Sequence, residues 1–202
     1  MNKFFLFLLL FVASLTTMQA QITGPAKVEA TDEYEYAKYL EPLPMEDGHV
    51  VIARTITLPD NVNADETFAK MNEWVERCMK DDRILQEAPV EAEEPYTIRR
   101  MVRQDLIFSK ALLAIDKAEL SFCLEVKLEG NKMTFSMKRM SYRYNGDNPE
   151  RKMLRLAAED YISDKVAISK KNKLVFGYRK FRVKTIDLAD EYTESLKTFF
   201  RI

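Results

Sequence analysis

One histidine, His49, two cysteines, Cys78 and Cys123, and five glycines are all this chain offers to several common catalytic chemistries. A paired-histidine metal site, a Ser-His-Asp triad and a Cys-His dyad would each have to be built on His49. That residue follows Asp47-Gly48 at the edge of a strand pattern, which is the place of a turn residue. No Cys-x-x-Cys, Gly-x-Ser-x-Gly or phosphate loop occurs. The sequence therefore assigns no catalytic residue, no metal ligand and no cofactor-binding residue. No cofactor is expected, and the chain reads as a non-enzyme.

Carboxylates keep one catalytic alternative open, because spacing along a chain does not say which acids approach each other. The densest groups are Asp81-Asp82 and Glu91, Glu93 and Glu94. They lack the Asp-x-Asp-x-Asp-Gly pattern of a calcium loop, so a solvated acidic loop over 81–94 is the expectation. The opposite charge gathers between Tyr161 and Thr185. There Lys165, Lys170, Lys171, Lys173, Arg179, Lys180, Arg182 and Lys184 face Asp164 alone. Two readings stand: this stretch offsets the acidic loop and lead-in, or it docks an anionic partner. Lys180, Arg182 and Lys184 are the candidate anion-binding residues, with arginine suited to bidentate contacts.

The elements that must position these groups follow from periodicity. Val50, Ile52, Ile56 and Leu58 alternate with smaller or polar residues as a strand. Asn63 and Glu66 resemble a capping box, and Phe68, Met71, Val75 and Cys78 make the apolar stripe of a helix to about Lys80. A short strand is expected around Ile84-Leu85, then strands at about 96–108, 119–128 and 132–144. In the last, the inward residues are Met133, Phe135 and Met137, then Met140, Tyr142 and Tyr144. That change of parity predicts a bulge near Lys138-Arg139. Pro149 is placed to open a helix over Glu150–Ile162. A final helix is expected from Thr185–Asp187 onward, with Ala189, Tyr192, Leu196 and Phe199 on its apolar stripe. Lys180 to Lys184 reads as extended, with Phe181 and Val183 toward the core and the three cations on the other side. The order predicts an α+β domain over 48–202, with a mainly antiparallel sheet and helices packed on one face.

On this arrangement Cys78 faces the core from a helix and Cys123 lies on the far side of the sheet. They are then beyond bridging distance, so free thiols are expected despite the even count. Residues 21–47 are acidic, with Pro42 and Pro44, and read as an extended lead-in. Tyr34, Tyr36 and Tyr39 within it are suited to anchoring it on its own domain, or to stacking on a partner.

Several of these residues are familiar together. Lys38-Tyr39-Leu40, Pro44, Asp47-Gly48, Val50-Val51 and Trp74 fit, as do Tyr161-Ile162-Ser163-Asp164-Lys165, Ala167, Lys171 and Leu174. With Lys180-Phe181-Arg182-Val183-Lys184-Thr185-Ile186-Asp187, they resemble a family of secreted domains of unknown function from Bacteroides-type bacteria. The resemblance runs over most of 38–190, although Glu41-Pro42-Leu43 stands where the family has a small Gly-Ala-type segment. It implies a TATA-binding-protein-like fold and an envelope location. It implies no reaction, and the fold name is no argument for DNA binding.

The first twenty residues bear on compartment. Lys3 precedes the apolar run Phe4–Val12, and small polar residues lead to Ala20, the layout of a signal peptide cleaved after Ala20. The run is far shorter than the roughly 20 residues that cross a bilayer, and no cysteine follows to carry a lipid. Without residues 1–20 the chain has 30 basic and 32 acidic residues, a poor balance for nucleic-acid binding. The expected protein is exported, to the periplasm, with no transmembrane segment after cleavage. Its partner class is an anionic envelope lipid or glycan, or an envelope protein. Alternatives are a carboxylate-dependent hydrolase acting on envelope glycans and a self-assembling envelope component. N-terminal sequencing of the protein recovered from its native compartment should begin at Gln21; an intact Met1 would refute processing.

Overall fold

The computed structural model describes residues 32–111, 114–145 and 152–202, apart from the side chains of residues 32–35, 111 and 114. The expected leader, the Tyr34 ring and the segment holding Pro149 lie outside them. Helix α1 covers Asp32–Leu40. A two-strand hairpin follows, β1 (Met45–Glu46) and β2 (His49–Val50). Its turn residues Asp47 and Gly48 both have positive φ, +50° and +81°, which glycine tolerates and aspartate accepts better than most.

The main sheet has six strands: β3 (Ile52–Thr57), β4 (Ile84–Val90), β5 (Thr97–Ala111), β6 (Ala114–Glu129), β7 (Lys132–Tyr144) and β8 (Leu154–Ala157). Every pairing is antiparallel, in the order β3-β7-β6-β5-β4, with β8 continuing the β7 edge beyond β3. The bulge falls where parity predicted it. Ser121 pairs Ser141 while Cys123 pairs Lys138, which leaves one extra residue on β7, and Arg139 there has φ +52°. Methionines 137 and 140 thereby both reach the core.

Two helices cover one face. In α2 (Ala64–Cys78), Asn63 caps the first turn through Oδ1, accepting from the N–H groups of Asp65 and Glu66 at 3.0 and 3.1 Å. The buried Trp74 sets its edge against Phe135 and Tyr192, with centroids 6.3 and 6.2 Å apart. Its Nε1–H donates to Ser195 Oγ at 3.2 Å. Helix α5 runs Phe176–Phe200, after two single-turn helices, α3 (Glu159–Ile162) and α4 (Asp164–Ala167). Mostly antiparallel sheet with helices on one face is the architecture expected. Cys78 and Cys123 are free, and burial pushes the Cys78 thiol up to about 12.

Several expected boundaries move. Residues 154–157 form strand β8 rather than a helix, because the free β7 edge at Ser141–Tyr144 supplies hydrogen-bond partners. The described helix there is the single turn of α3. Strand β4 extends to Val90 through what was read as loop, and Pro89 is tolerated because β4 is an edge strand. The lead-in contributes α1, whose Tyr39 is buried, and the compact unit spans Tyr36–Ile202 rather than starting at 48. The largest correction concerns Lys180–Lys184, which lies inside α5. Phe181, Thr185, Leu188, Tyr192 and Leu196 are all buried at helical spacing. The Phe181/Val183 alternation is a fragment of that longer stripe.

Arg182 therefore faces inward, with no exposed surface. Its Nε–H donates to the Tyr39 carbonyl at 2.6 Å, and Nη1 donates to the Ile162 carbonyl at 2.6 Å and to Asp164 Oδ1 at 2.8 Å. Nη2 donates to the Glu41 carbonyl at 2.7 Å. One guanidinium thus joins the end of α1, the turn between α3 and α4, and α5. Tyr39 reinforces the joint by donating to Asp187 at 2.6 Å. Phe181 is buried beside it among Phe108, Tyr142, Tyr144 and Tyr161, at centroid distances from 4.8 to 5.6 Å.

Phe181→Ala should destabilise the unit by about 3–5 kcal/mol, the usual cost of deleting a buried aromatic. Arg182→Ala should cost about as much, because Asp164 and three carbonyls lose their donor together. Denaturant unfolding measures both, and a loss under about 1 kcal/mol in either would contradict the packing described.

Candidate functional site

The three cations singled out from the sequence do not share a surface. Arg182 is buried and satisfied internally, so it is a structural clamp and not part of an anion-docking face. Lys180 donates to Asp116 at 2.9 Å and to Tyr144 Oη at 2.6 Å, with its ammonium over the rings of Phe108 and Tyr144 at 4.7 and 4.3 Å. Lys184 stands apart, 4.0 Å from Asp187. The extended segment that would have aligned them is helical, and successive even positions on a helix point in different directions.

The remaining cations of the same basic stretch are arranged differently. After α4, Ile168 bridges Leu174, closing a small hairpin over Lys170, Lys171, Asn172 and Lys173. Ser169 N–H donates to the Lys173 carbonyl at 2.8 Å, and Asn172, at φ +53°, donates from its N–H to the Ser169 carbonyl at 2.9 Å. Val175 N–H donates back to the Ala167 carbonyl at 2.9 Å, which fixes the hairpin to the first turn of α5. There Phe176 is 85% exposed, and Arg179 lies over its ring at 5.7 Å. Lys165, Lys170, Lys171, Lys173 and Arg179 are exposed, and none has an acid within salt-bridge reach among the described residues. The first turn of α5 carries no acid and no side-chain cap, so its dipole adds to the positive field.

Three of the six acids in 81–94 that were expected to offset this stretch are engaged elsewhere. Glu87 pairs with Arg100, Glu94 with Arg99, and Asp81 with Arg83. Asp187 and Asp190 hold Lys38, and Asp190 also holds Arg54. On the helix-free face of the sheet, Glu125 lies between Arg99 and Lys138, Glu119 between Arg103 and Arg143, and Asp105 against Lys117. Buried atoms without a hydrogen-bond partner among the described residues, Arg103 Nε, Asp105 Oδ1 and Arg143 Nε, fall in this last cluster. Asp105 and Glu119 are cross-strand neighbours, each half-buried and paired with a cation.

A groove of about 1000 Å³ opens where α2 and α5 end, with Trp74 and Tyr192 lining it. Its acids are also committed: Glu73 to Arg77, and both Asp81 and Glu191 to Arg83, which donates to Glu191 Oε1 at 2.5 Å. His49 is on the surface, with Nδ1 3.2 Å from Glu159 Oε1. Among the described residues no group of three or more acids, cysteines or histidines could hold a metal ion, and no helix is long and apolar enough to cross a membrane. Sequence reasoning found the basic stretch but missed Phe176, whose exposure at a helix start carries no periodic signal.

Comparison with known proteins bears out the resemblance and the fold. Residues 54–143 match the family described as a domain of unknown function (DUF4468) with TBP-like fold. A crystal structure of a DUF4468 family protein from Bacteroides ovatus is similar at a TM-score of 0.72 and 24% identity, covering 82% of this chain and 94% of that one. A TBP-like protein from Parabacteroides distasonis is similar at a TM-score of 0.52 and 21% identity, covering 76% and 96%. No curated protein matches this chain.

The Arg83 network has a pH signature. Hydrogen bonds from Arg83 hold the Asp81 carboxyl below its ordinary value, against the opposing push of burial. A depressed carboxyl contributes stability that is complete above its unfolded value, near 4, and lost as pH falls through the folded one. The melting temperature of the wild type should exceed that of Asp81→Asn at neutral pH, and the gap should close in acid below about pH 4. A gap that persists unchanged through that range would contradict the ion pair.

Proposed function

We propose that this chain is an exported, non-enzymatic module that docks an anionic component of the cell envelope through the projection Lys165–Arg179. The observation that carries the reading is the set of five cations there that the rest of the described chain leaves unneutralised, although the chain as a whole is balanced. The hairpin bonds hold them in place, so little of their backbone freedom remains to be lost on docking. Export is supported by the Lys3, Phe4–Val12 and Ala20 layout.

The competing hydrolase reading needs a carboxyl kept neutral near working pH beside a cleft. Of the acids lining the groove, Asp81 is held below its ordinary value by hydrogen bonds from Arg83, and Glu73 and Glu191 are paired with Arg77 and Arg83. Self-assembly through the β4 edge is disfavoured by Pro89 and Glu87, features that blunt strand edges.

The test is binding of the processed protein to dextran sulfate over a range of salt. Replacing Lys170, Lys171 and Lys173 together with Gln should weaken binding by about 100-fold at low salt, at about 1 kcal/mol per surface cation. Binding by the wild type should fall steeply as salt rises. Unchanged affinity in the triple variant would refute the assignment.

A further inference from the structure

We propose, resting on the docking reading above, that the anionic component is the headgroup layer of a lipid bilayer and that Phe176 enters that layer. The cations alone would suit any polyanion; the ring is what narrows the class. Phe176 is the most exposed large apolar residue among the described ones, at 85%. Its neighbours Leu174 and Val175 are half-buried, so the chain turns inward and leaves this one ring standing out. Lys170, Lys171 and Lys173 are exposed on the hairpin just before it, and Arg179 one turn after it.

An aromatic ring ringed by flexible cations suits the boundary between headgroups and acyl chains. The ring gains by leaving water, while lysine and arginine stems reach back to the phosphates. Neither half suffices alone, since stable attachment to a surface takes an apolar anchor together with a basic cluster. The geometry permits both at once, because the hairpin bonds and the start of α5 hold the backbone that carries the ring and the lysines. A soluble acidic glycan would engage the cations in the same way and gain less from an unsupported ring at the apex.

The experiment compares three probes for the processed protein at low salt: phosphatidylcholine vesicles, phosphatidylcholine vesicles containing phosphatidylglycerol, and dextran sulfate. The wild type is expected to sediment with the phosphatidylglycerol vesicles and not with phosphatidylcholine alone. Phe176→Ser should weaken the vesicle affinity about tenfold, a fraction of a buried ring's transfer gain, and leave dextran sulfate binding unchanged. Phe176→Trp should retain vesicle binding and show a blue-shifted emission on adding phosphatidylglycerol vesicles. Both substitutions are at an exposed position, and unchanged melting temperatures confirm folding. Binding to dextran sulfate without binding to vesicles overturns the bilayer inference and leaves the docking reading standing. Vesicle binding that Phe176→Ser does not alter overturns insertion. Binding to none of the three overturns the docking reading itself.

Discussion

A guanidinium without exposed surface is tolerable only if its donors are met, because a buried charge with unmet donors costs far more than folding can spare. Arg182 meets that condition with groups from three separate places: carbonyls of Tyr39 and Glu41, the carbonyl of Ile162, and the carboxylate of Asp164. The rest of the C-terminal half depends on this joint. It holds the end of α1 against α5 and brings the α3–α4 turn under the same helix. It also sets the direction in which the chain leaves α4 toward the hairpin. The arginine fork suits this task, since its donors diverge in one plane and a lysine could not reach four acceptors.

The clamp also decides how charge is distributed. Asp164 is the one acid in the basic stretch, and it is consumed by Arg182. Lys180 is consumed by Asp116 and Tyr144. Glu87 and Glu94 of the β4 region pair with the β5 arginines Arg100 and Arg99. Overall neutrality therefore coexists with an uncompensated tip at Lys165–Arg179. Composition averaged over the chain hides that separation, and only the pairing reveals it.

Much of the fold was legible because its strands are long and half-buried. Alternation along β6 and β7 marked their inward faces, and the parity change at Arg139 marked the bulge, since period two leaves one solution. Segments of four or five residues were not legible. Phe181 and Val183 alternate like a strand, yet Phe181, Thr185 and Leu188 repeat like a helix, and a short window does not separate the two. Strand β8 forms because a free edge of β7 meets it, which is a tertiary fact. The role of Arg182 was partly readable: on a helix it shares a stripe with Ile186, Ala189 and Thr193, all buried, so its charge had to be met internally. Its partners were not readable, being mostly backbone carbonyls of distant segments. Of the docking tip, the cations were legible in composition and their freedom from pairing was not.

Arg182 closes this joint, and its own side chain reports on it. In a nitrogen-15 NMR spectrum of the folded protein at neutral pH, the Arg182 Nε–H should give a resolved signal that exchanges slowly with water. Buried hydrogen-bonded groups exchange only through opening of the structure. Exchange as fast as that of the exposed Arg179 would contradict the clamp, and with it the account of how the α1 end, the α3–α4 turn and α5 are held together.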